Sequence, residues 1–182
     1  MNRLDRHTVY LAGSIDESKN TAHLWREEIT NFLQPLGIGT FNPCDKPCGK
    51  VEDPDFVDYC NQLKAEEKWD ELVSEMTGVV RADLHMVDLS NFMIAAIDKD
   101  RHLCGSYSEI TYAALEKKPV IIWCPQGKAQ VPNWLWGLGL RHELFFSTLD
   151  EVKDYITHVH TSDVVDTLGR WRFINYRKVF GK

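Results

Sequence analysis

The chain has 182 residues, of which 43% are hydrophobic and 26% are charged, and its formal net charge is −6. This length predicts a single domain with a buried core over residues 1–182. The acidic balance argues against a nucleic-acid backbone as the main partner. No apolar run approaches the roughly 20 residues that span a bilayer, so we expect no membrane partner. The N-terminal residues also lack the pattern of a signal peptide.

The first third of the chain predicts a strand, a helix, a second strand and a loop. The segment "TVYLAG" (8–13) has the β-branched and aromatic residues of a buried strand and ends at a glycine. Apolar residues then recur at helical spacing over 22–33, before a Pro-Leu-Gly stop. "IGTFNP" (38–43) is typical of a short strand closed by proline. Residues 44–55 are rich in proline, glycine and charge, which predicts a surface loop.

The middle of the chain predicts a long helical region and a central strand. Apolar positions continue at helical spacing from Phe56 to position 80, and Gly78 is a candidate for a break in this helix. "NFMIAAID" (91–98) is continuously apolar, as expected of a parallel strand that is buried on both faces.

The last third of the chain continues the alternation of helices and strands. The predicted elements are a helix from Ser106 to Lys117, the strand "PVIIW" (119–123), and a helix over 147–159 with Ser147 or Thr148 as its N-cap. This alternation predicts a parallel sheet with right-handed crossovers. The sequence assigns no structure to a C-terminal extension over residues 161–182.

The five cysteines are an odd number scattered along the chain, unlike a disulfide framework, and they favour a reducing cytoplasm. A metal site is the alternative interpretation. It would combine Cys44 and Cys48 in "CDKPC" with His158 and His160 in "HVH". Zinc sites usually present more closely matched ligand pairs, so we favour ordinary thiols and no metal.

Ligands of open parallel sheets bind beyond the carboxyl ends of the strands, which directs attention to three places. The candidate residues there are Tyr10, Gly13 and Ser14 after the first strand, Asp98 and the loop to Gly105 after the central strand, and the segment "WCPQG" (123–127). No phosphate-binding loop of the Walker type is present.

Glu109 has two interpretations that the sequence leaves open. Ser106 and Glu109 have the spacing of a capping box, in which the glutamate only stabilises a helix start. The same position, in the first helical turn beside a ligand crevice, would keep the carboxylate ionised through the helix dipole. An ionised carboxylate is what attack on the anomeric carbon of a sugar requires.

Two aspartates also have a structural alternative. Asp83, in a helical region before the central strand, is by itself typical of a solvated helix carboxylate. Asp98 is equally consistent with a residue that simply ends its strand.

Three segments together resemble the nucleoside 2-deoxyribosyltransferase superfamily, which includes deoxynucleoside 5′-monophosphate N-glycosidases and cytidylate hydrolases. They are "VYLAGSID" (9–16), "DLHMVDLSNFMIAAID" (83–98) and "GSYSEITYAALEKKPVII" (105–122). The resemblance covers roughly residues 8–124. It implies an α/β fold, a flavodoxin-like or Rossmann-like three-layer sandwich with a mostly parallel sheet of about five strands. It also implies a homodimer or a larger assembly of dimers.

The resemblance further implies cleavage of an N-glycosidic bond in a nucleoside or nucleotide, with no metal or organic cofactor. Glu109 falls on the family nucleophile, which forms a glycosyl-enzyme ester, and Tyr10 falls on the tyrosine that orients it. Asp83 falls on the carboxylate that contacts the base and supports its departure. The substrate-binding candidates are Gly13, Ser14, Asp98, Gly105 and Ser106.

The chain departs from the family pattern at three places. Leu103 stands where the family's transferases carry an aspartate, and Thr111 stands where the family has a glycine. Asp16 and Glu17 follow "GSI", where monophosphate hydrolases tend to have a basic residue and glycines. Because two acidic residues would repel a phosphate, we favour a nucleoside deoxyribosyltransferase. A nucleoside 5′-monophosphate N-glycoside hydrolase and a non-catalytic nucleotide-binding module are the alternatives.

Overall fold

The computed structural model describes residues 2–15, 21–45, 56–164 and 167–180. The strands are β1 (Thr8–Ala12), β2 (Gly39–Phe41), β3 (Phe92–Ala96), β4 (Val120–Trp123) and β5 (Phe145–Phe146). The helices are α1 (Thr21–Leu33), α2 (Phe56–Ala65), α3 (Trp69–Leu89), α4 (Cys104–Leu115), α5 (Asn133–Trp136), α6 (Leu149–Thr161) and α7 (Tyr176–Phe180). No helix among these described residues combines the length and apolar character needed to cross a bilayer.

The five strands form one parallel sheet in the order β2-β1-β3-β4-β5. This is the flavodoxin-like order, in which the chain reverses its direction of winding between β1 and β3. The predicted α/β class and the predicted sheet of about five parallel strands are therefore confirmed. In folds of this order, ligands bind beyond the carboxyl ends of the strands at the reversal, which are β1 and β3 here.

The two faces of the sheet are covered by different helices, because side chains alternate along each strand. Tyr10, Ala12, Met93 and Ala95 share one hydrophobic cluster with residues of α3 and α4. Val9, Leu11, Phe92 and Ile94 share the other cluster with residues of α1 and α6. The result is a three-layer sandwich. The continuous apolar run of β3 follows from its burial on both faces, as predicted.

The long helical region breaks at a different place from the one predicted. Helix α2 ends at Ala65 and α3 begins at Trp69, whereas Gly78 lies inside α3. Between the two helices, Glu67 adopts a left-handed backbone with φ of 55°, a conformation that commonly ends a helix. An added Cβ at Gly78 would meet no described atom within 4 Å, so the glycine there is not required by packing.

Part of the chain after Thr161, which the sequence left unassigned, packs against the core. Trp171 is buried, its ring centroid lies 5.2 Å from that of Phe92, and its indole N–H donates to the Tyr155 hydroxyl at 2.8 Å. The segment therefore packs against β3 and α6.

Candidate active site

A buried hydrogen bond joins β1 to α4 across 99 residues of sequence. The Tyr10 hydroxyl donates to Glu109 Oε1 at 2.8 Å. Tyr10 has no exposed surface and Glu109 is 8% exposed, so the pair is buried between the sheet and α4. The sequence placed both residues in one site, and the structure brings them into direct contact.

The start of α4 differs from the capping box that the sequence allowed. The helix begins at Cys104 with Leu103 as its N-cap residue, and no side chain caps it. Ser106 lies inside the first turn and is buried. Glu109 therefore lies in the second turn, and its predicted position in the first turn is wrong. The reason is that Leu103 packs into the core and already fixes the helix start, its carbonyl accepting from the Tyr107 N–H at 2.8 Å.

Asp83 lies on α3, which packs on the same face of the sheet as α4. The residue is only partly exposed, and its Oδ1 atom is shielded from solvent. The charge of Asp83 also acts on the Tyr10 hydroxyl. This partial burial argues against a fully solvated helix carboxylate, and a role of Asp83 in the site stays a prediction.

The electrostatics of the site keep Tyr10 protonated. Burial raises the pKa of the Tyr10 hydroxyl far above its usual range, and the negative charges of Glu109 and Asp83 and the hydrogen bond to Glu109 raise it further. The positive charge of Arg26 acts in the opposite direction. Tyr10 is consequently a hydrogen-bond donor throughout the physiological pH range, and it is unsuited to act as a base.

Arg26 is a member of the site that the sequence analysis missed. Its side chain on α1 is completely buried, and its guanidinium donates to the carbonyls of Leu11 at 3.2 Å, Gly13 at 2.9 Å and Ser14 at 3.4 Å. The helical spacing of the sequence does indicate that Arg26 is buried. Arg26 lies three and seven residues before the buried Ile29 and Leu33, which places a charge on the apolar face of α1.

Gly13 and Ser14 form the turn after β1. A Cβ added to Gly13 would lie 3.2 Å from both Arg26 Nη2 and Trp25 Cζ2, so the glycine makes room for these two side chains. The Ser14 hydroxyl is buried and has no hydrogen-bond partner among the described residues. A buried hydroxyl of this kind is suited to contact a ligand. Asp16 and Glu17 lie outside the described residues.

The remaining predicted binding residues follow β3. Asp98 accepts hydrogen bonds from the Asp100 N–H at 3.0 Å, Arg101 Nε at 3.1 Å and Gln126 Nε2 at 2.6 Å. Partial burial opposes ionisation, but these hydrogen bonds prevail and hold the pKa of the Asp98 carboxyl below its usual range. This geometry ties the loop after β3 to the segment after β4, so it favours the structural interpretation, and substrate contact by Asp98 stays a prediction.

Gly105 lies in the first turn of α4, where an added Cβ would meet no described atom within 4 Å. Space is therefore available beside the start of α4 for a ligand or for a larger side chain. Contact between the substrate and either Gly105 or Ser106 stays a prediction.

The alternative metal site has no support in the described part of the chain. No group of three or more His, Cys, Asp or Glu side chains there is placed to hold a metal ion. Cys48 lies outside the described residues. His160 is buried at the end of α6, where its carbonyl accepts from the Arg3 N–H at 3.0 Å.

No protein-family model matches the sequence, and no curated protein matches it. Solved structures do match. A 2-deoxyribosyltransferase from Bacillus psychrosaccharolyticus aligns at 20% identity with a TM-score of 0.55, covering 92% of this chain and 99% of that one. A 2-deoxyribosyltransferase from Leishmania mexicana aligns at 13% identity with a TM-score of 0.53, covering 84% and 98%. The CMP N-glycosidase BcmB of Clostridium botulinum aligns at 16% identity with a TM-score of 0.49, covering 84% and 98%.

The first two alignments extend over nearly the whole length of the solved chains, so this chain has the fold of 2-deoxyribosyltransferases. The fold implied by the sequence resemblance is thereby confirmed. A fold can host several functions, so the function depends on the geometry of the site.

Proposed function

We propose that this chain is an enzyme that cleaves or transfers at the N-glycosidic bond of a nucleoside or deoxynucleoside through a covalent glycosyl ester on Glu109. The observation that carries the proposal is the buried hydrogen bond from the Tyr10 hydroxyl to the Glu109 carboxylate. The fold shared with 2-deoxyribosyltransferases supports the same chemistry.

In the first step, a Glu109 carboxylate oxygen attacks C1′ of the sugar while the bond from C1′ to the base nitrogen breaks. The bonding pair leaves with the base, and the sugar becomes an ester of Glu109. The hydrogen bond from Tyr10 holds one carboxylate oxygen in place, which limits the rotation of the group and directs the other oxygen to the sugar.

Asp83 supports the departure of the base. The base leaves with a negative charge unless it is protonated or hydrogen-bonded, and a positioned carboxyl group supplies that contact. A proton-transfer role of this kind contributes roughly 10²–10⁴ in rate. The partial burial of Asp83, on a helix that packs on the same face of the sheet as α4, supports this role.

In the second step, the ester is transferred or hydrolysed. If the nitrogen of a second base attacks C1′, the Glu109 carboxylate is released and a new nucleoside forms. If water attacks instead, the products are free sugar and the regenerated enzyme. We favour the transferase activity because of the acidic residues Asp16 and Glu17. Two carboxylates suit an uncharged 5′-hydroxyl better than a phosphate. The alternative is a nucleoside 5′-monophosphate N-glycoside hydrolase.

The test is a screen of nucleosides and nucleoside 5′-monophosphates for release of free base, with wild type and Glu109→Ala side by side. A labelled second base separates transfer from hydrolysis, because only transfer places label in nucleoside. A substrate that wild type cleaves and Glu109→Ala does not is the expected result. Tight ligand binding that survives Glu109→Ala, without base release by wild type, would instead identify a non-catalytic nucleotide-binding module.

We also propose that the protein is a homodimer, as the resemblance implies. One face of α3 supports this, because Trp69, Val73, Met76 and Val80 form an exposed apolar stripe at helical spacing. Sedimentation velocity should give twice the mass of the chain for wild type and a lower mass for the double variant Val73→Asp with Val80→Asp. A wild-type protein that sediments as a monomer would contradict the proposal.

We place the protein in the cytoplasm. The described cysteines, which are Cys44, Cys60, Cys104 and Cys124, are all free thiols. Free thiols are expected where the compartment is reducing.

A further inference from the structure

The two histidines near the end of α6 have opposite surroundings. His158 is exposed, whereas His160 is 3% exposed and its Nδ1 atom has no hydrogen-bond partner among the described residues. A buried imidazole without a partner accommodates a charge poorly, because the charged form loses its hydration. A proton added to His160 therefore destabilises the packing around it.

The electrostatic surroundings of His160 favour its neutral form. Burial lowers the pKa of His160. The carboxylate of Asp5 acts in the opposite direction, whereas the positive charges of the amino terminus and of a protonated His7 lower the pKa further. The last turn of a helix ordinarily stabilises a cation, but burial prevails at this position. His160 is consequently neutral in the folded chain at neutral pH.

The N-terminal segment (residues 2–7) connects His160 to the C-terminal segment (residues 167–176). The Arg3 N–H donates to the His160 carbonyl at 3.0 Å. The guanidinium of Arg3 lies 5.0 Å from the centre of the Phe173 ring. One residue of the N-terminal segment therefore contacts both the end of α6 and the C-terminal segment.

A second contact joins the same two segments. The His7 ring centroid lies 6.5 Å from that of Phe173 and 5.7 Å, edge-on, from that of Tyr176. Phe173 in turn stacks on the buried Trp171 at 6.1 Å. A cavity of about 490 Å³ lies between the segments and is lined by Asn2, Arg3, Asp5 and residues 173–176. Because water can fill this cavity, separation of the two segments lets water reach the buried rings.

We propose that His160 is a pH-sensitive switch, whose protonation separates the N-terminal segment from α6 and thereby loosens the C-terminal segment. The N-terminal segment ends before Thr8, the first residue of β1, whereas the Gly13 turn follows Ala12, the last residue of β1. The five residues of β1 span roughly 17 Å at about 3.3 Å each. The switch is therefore separate from the proposed active site and does not require the proposed reaction.

Acid should favour the open state. In the open state, His160 is hydrated and its pKa returns toward the ordinary value of 6.5, which is higher than its pKa in the closed state. The closed state is therefore fully favoured above pH 6.5 and loses stability as pH falls through 6.5 toward the lowered folded pKa. In that window the opening equilibrium should rise about tenfold per pH unit, since opening takes up one proton.

The experiment measures hydrogen–deuterium exchange of wild type between pH 8 and pH 5, with rates corrected for the intrinsic pH dependence of amide exchange. Protection of peptides from the two segments should be constant above pH 6.5 and should fall about tenfold per pH unit below it. Peptides from β3 should keep their protection. Constant protection of both segments down to pH 5, or an equal loss in β3, would overturn the proposal.

Variants separate the switch from general effects of acid. His160→Gln has no imidazole to protonate, so the loss of protection below pH 6.5 should disappear. His158→Gln removes the exposed histidine of the same helix and, as the matched control, should behave like wild type. Asp5→Asn should extend the loss to lower pH, because Asp5 favours the protonated form of His160. A pH-dependent loss that persists in His160→Gln would contradict the switch.

If His160→Gln does not fold, His160→Phe provides a ring of similar size that does not titrate. If neither variant folds, the onset of the wild-type loss decides the question, because a loss that begins well above pH 6.5 excludes His160 as its cause. Absence of base release by wild type would defeat the proposed function alone, since the exchange measurement needs no substrate.

Discussion

Two helix starts in this molecule have the same sequence spacing and opposite structures. At the start of α6, Thr148 Oγ1 accepts from the Glu151 N–H at 3.2 Å, and Glu151 Oε2 accepts from the Thr148 N–H at 3.0 Å. This is a complete capping box. At the start of α4, Ser106 and Glu109 have the same spacing, but the glutamate accepts from Tyr10 of the central sheet.

The difference lies in what surrounds each glutamate. Glu151 is exposed, and the N–H groups of Ser147 and Thr148 are the main cause that holds the pKa of its carboxyl below the usual range. Glu109 is buried one turn deeper in its helix and faces the sheet. The spacing therefore predicts which groups can meet locally, whereas the tertiary partner decides whether the glutamate serves the helix or the site.

The sharpest contrast should come from replacing each glutamate with glutamine. Glu109→Gln should lower base release by about 10³-fold or more, because the neutral amide cannot act as the nucleophile. Glu151→Gln should leave base release unchanged. The measurement is kcat/KM for both variants on one substrate. Equal losses of activity in the two variants would remove the distinction between the two helix starts.

The next effect concerns the partner that distinguishes Glu109. Tyr10→Phe removes one hydrogen bond to a charged group, which contributes roughly 1.5–3 kcal/mol. Because we expect this hydrogen bond to act in the transition state, its loss should lower kcat by about 10–100-fold. Tyr59→Phe, on the exposed side of α2, is the control and should retain full activity. A fully active Tyr10→Phe would show that the contact does not orient the nucleophile.

The two helix starts should also differ in stability, and here the larger effect should come from the start of α6. Thr148→Ala removes a side-chain cap and should lower the free energy of unfolding by about 1 kcal/mol. Ser106→Ala removes no cap, so it should lower the free energy of unfolding by less than Thr148→Ala does. Urea unfolding of both variants measures the difference. A larger loss in Ser106→Ala would contradict the absence of a cap at α4.

The smallest expected effect is the pH dependence of the α6 cap. The pKa of Glu151 is lowered in the folded chain, so its contribution to stability is present above the usual value of 4.5 and is lost as pH falls through the folded pKa. The stability difference between wild type and Glu151→Gln should therefore shrink below pH 4.5. A difference that stays constant between neutral pH and pH 3 would rule out this linkage.

Much of the fold could be predicted because burial on both faces leaves a mark in the sequence. The strands β3 and β4 are continuous apolar runs, and β1 consists of four apolar residues after Thr8. The strand β5, with two residues, is too short for any pattern, and the break at Glu67 depends on a single backbone conformation.

The site could be predicted only in part from the residues themselves. The end of a predicted strand indicated Tyr10, and the position near a predicted helix start indicated Glu109. The role of Asp83 was implied only by the family resemblance. Arg26 was missed because hydrogen bonds to main-chain carbonyls, such as those it donates to Leu11, Gly13 and Ser14, have no sequence signature. The charge on an apolar helix face was the one available signal.

The most direct measurement is the mass of the protein during turnover. Wild type is mixed with a substrate identified by the screen, quenched rapidly in acid and digested for peptide mapping. We predict that the peptide containing Glu109 carries the mass of one sugar residue, and that Glu109→Gln carries none. Turnover with an unmodified Glu109 peptide, or with the sugar attached to another residue, would contradict the account.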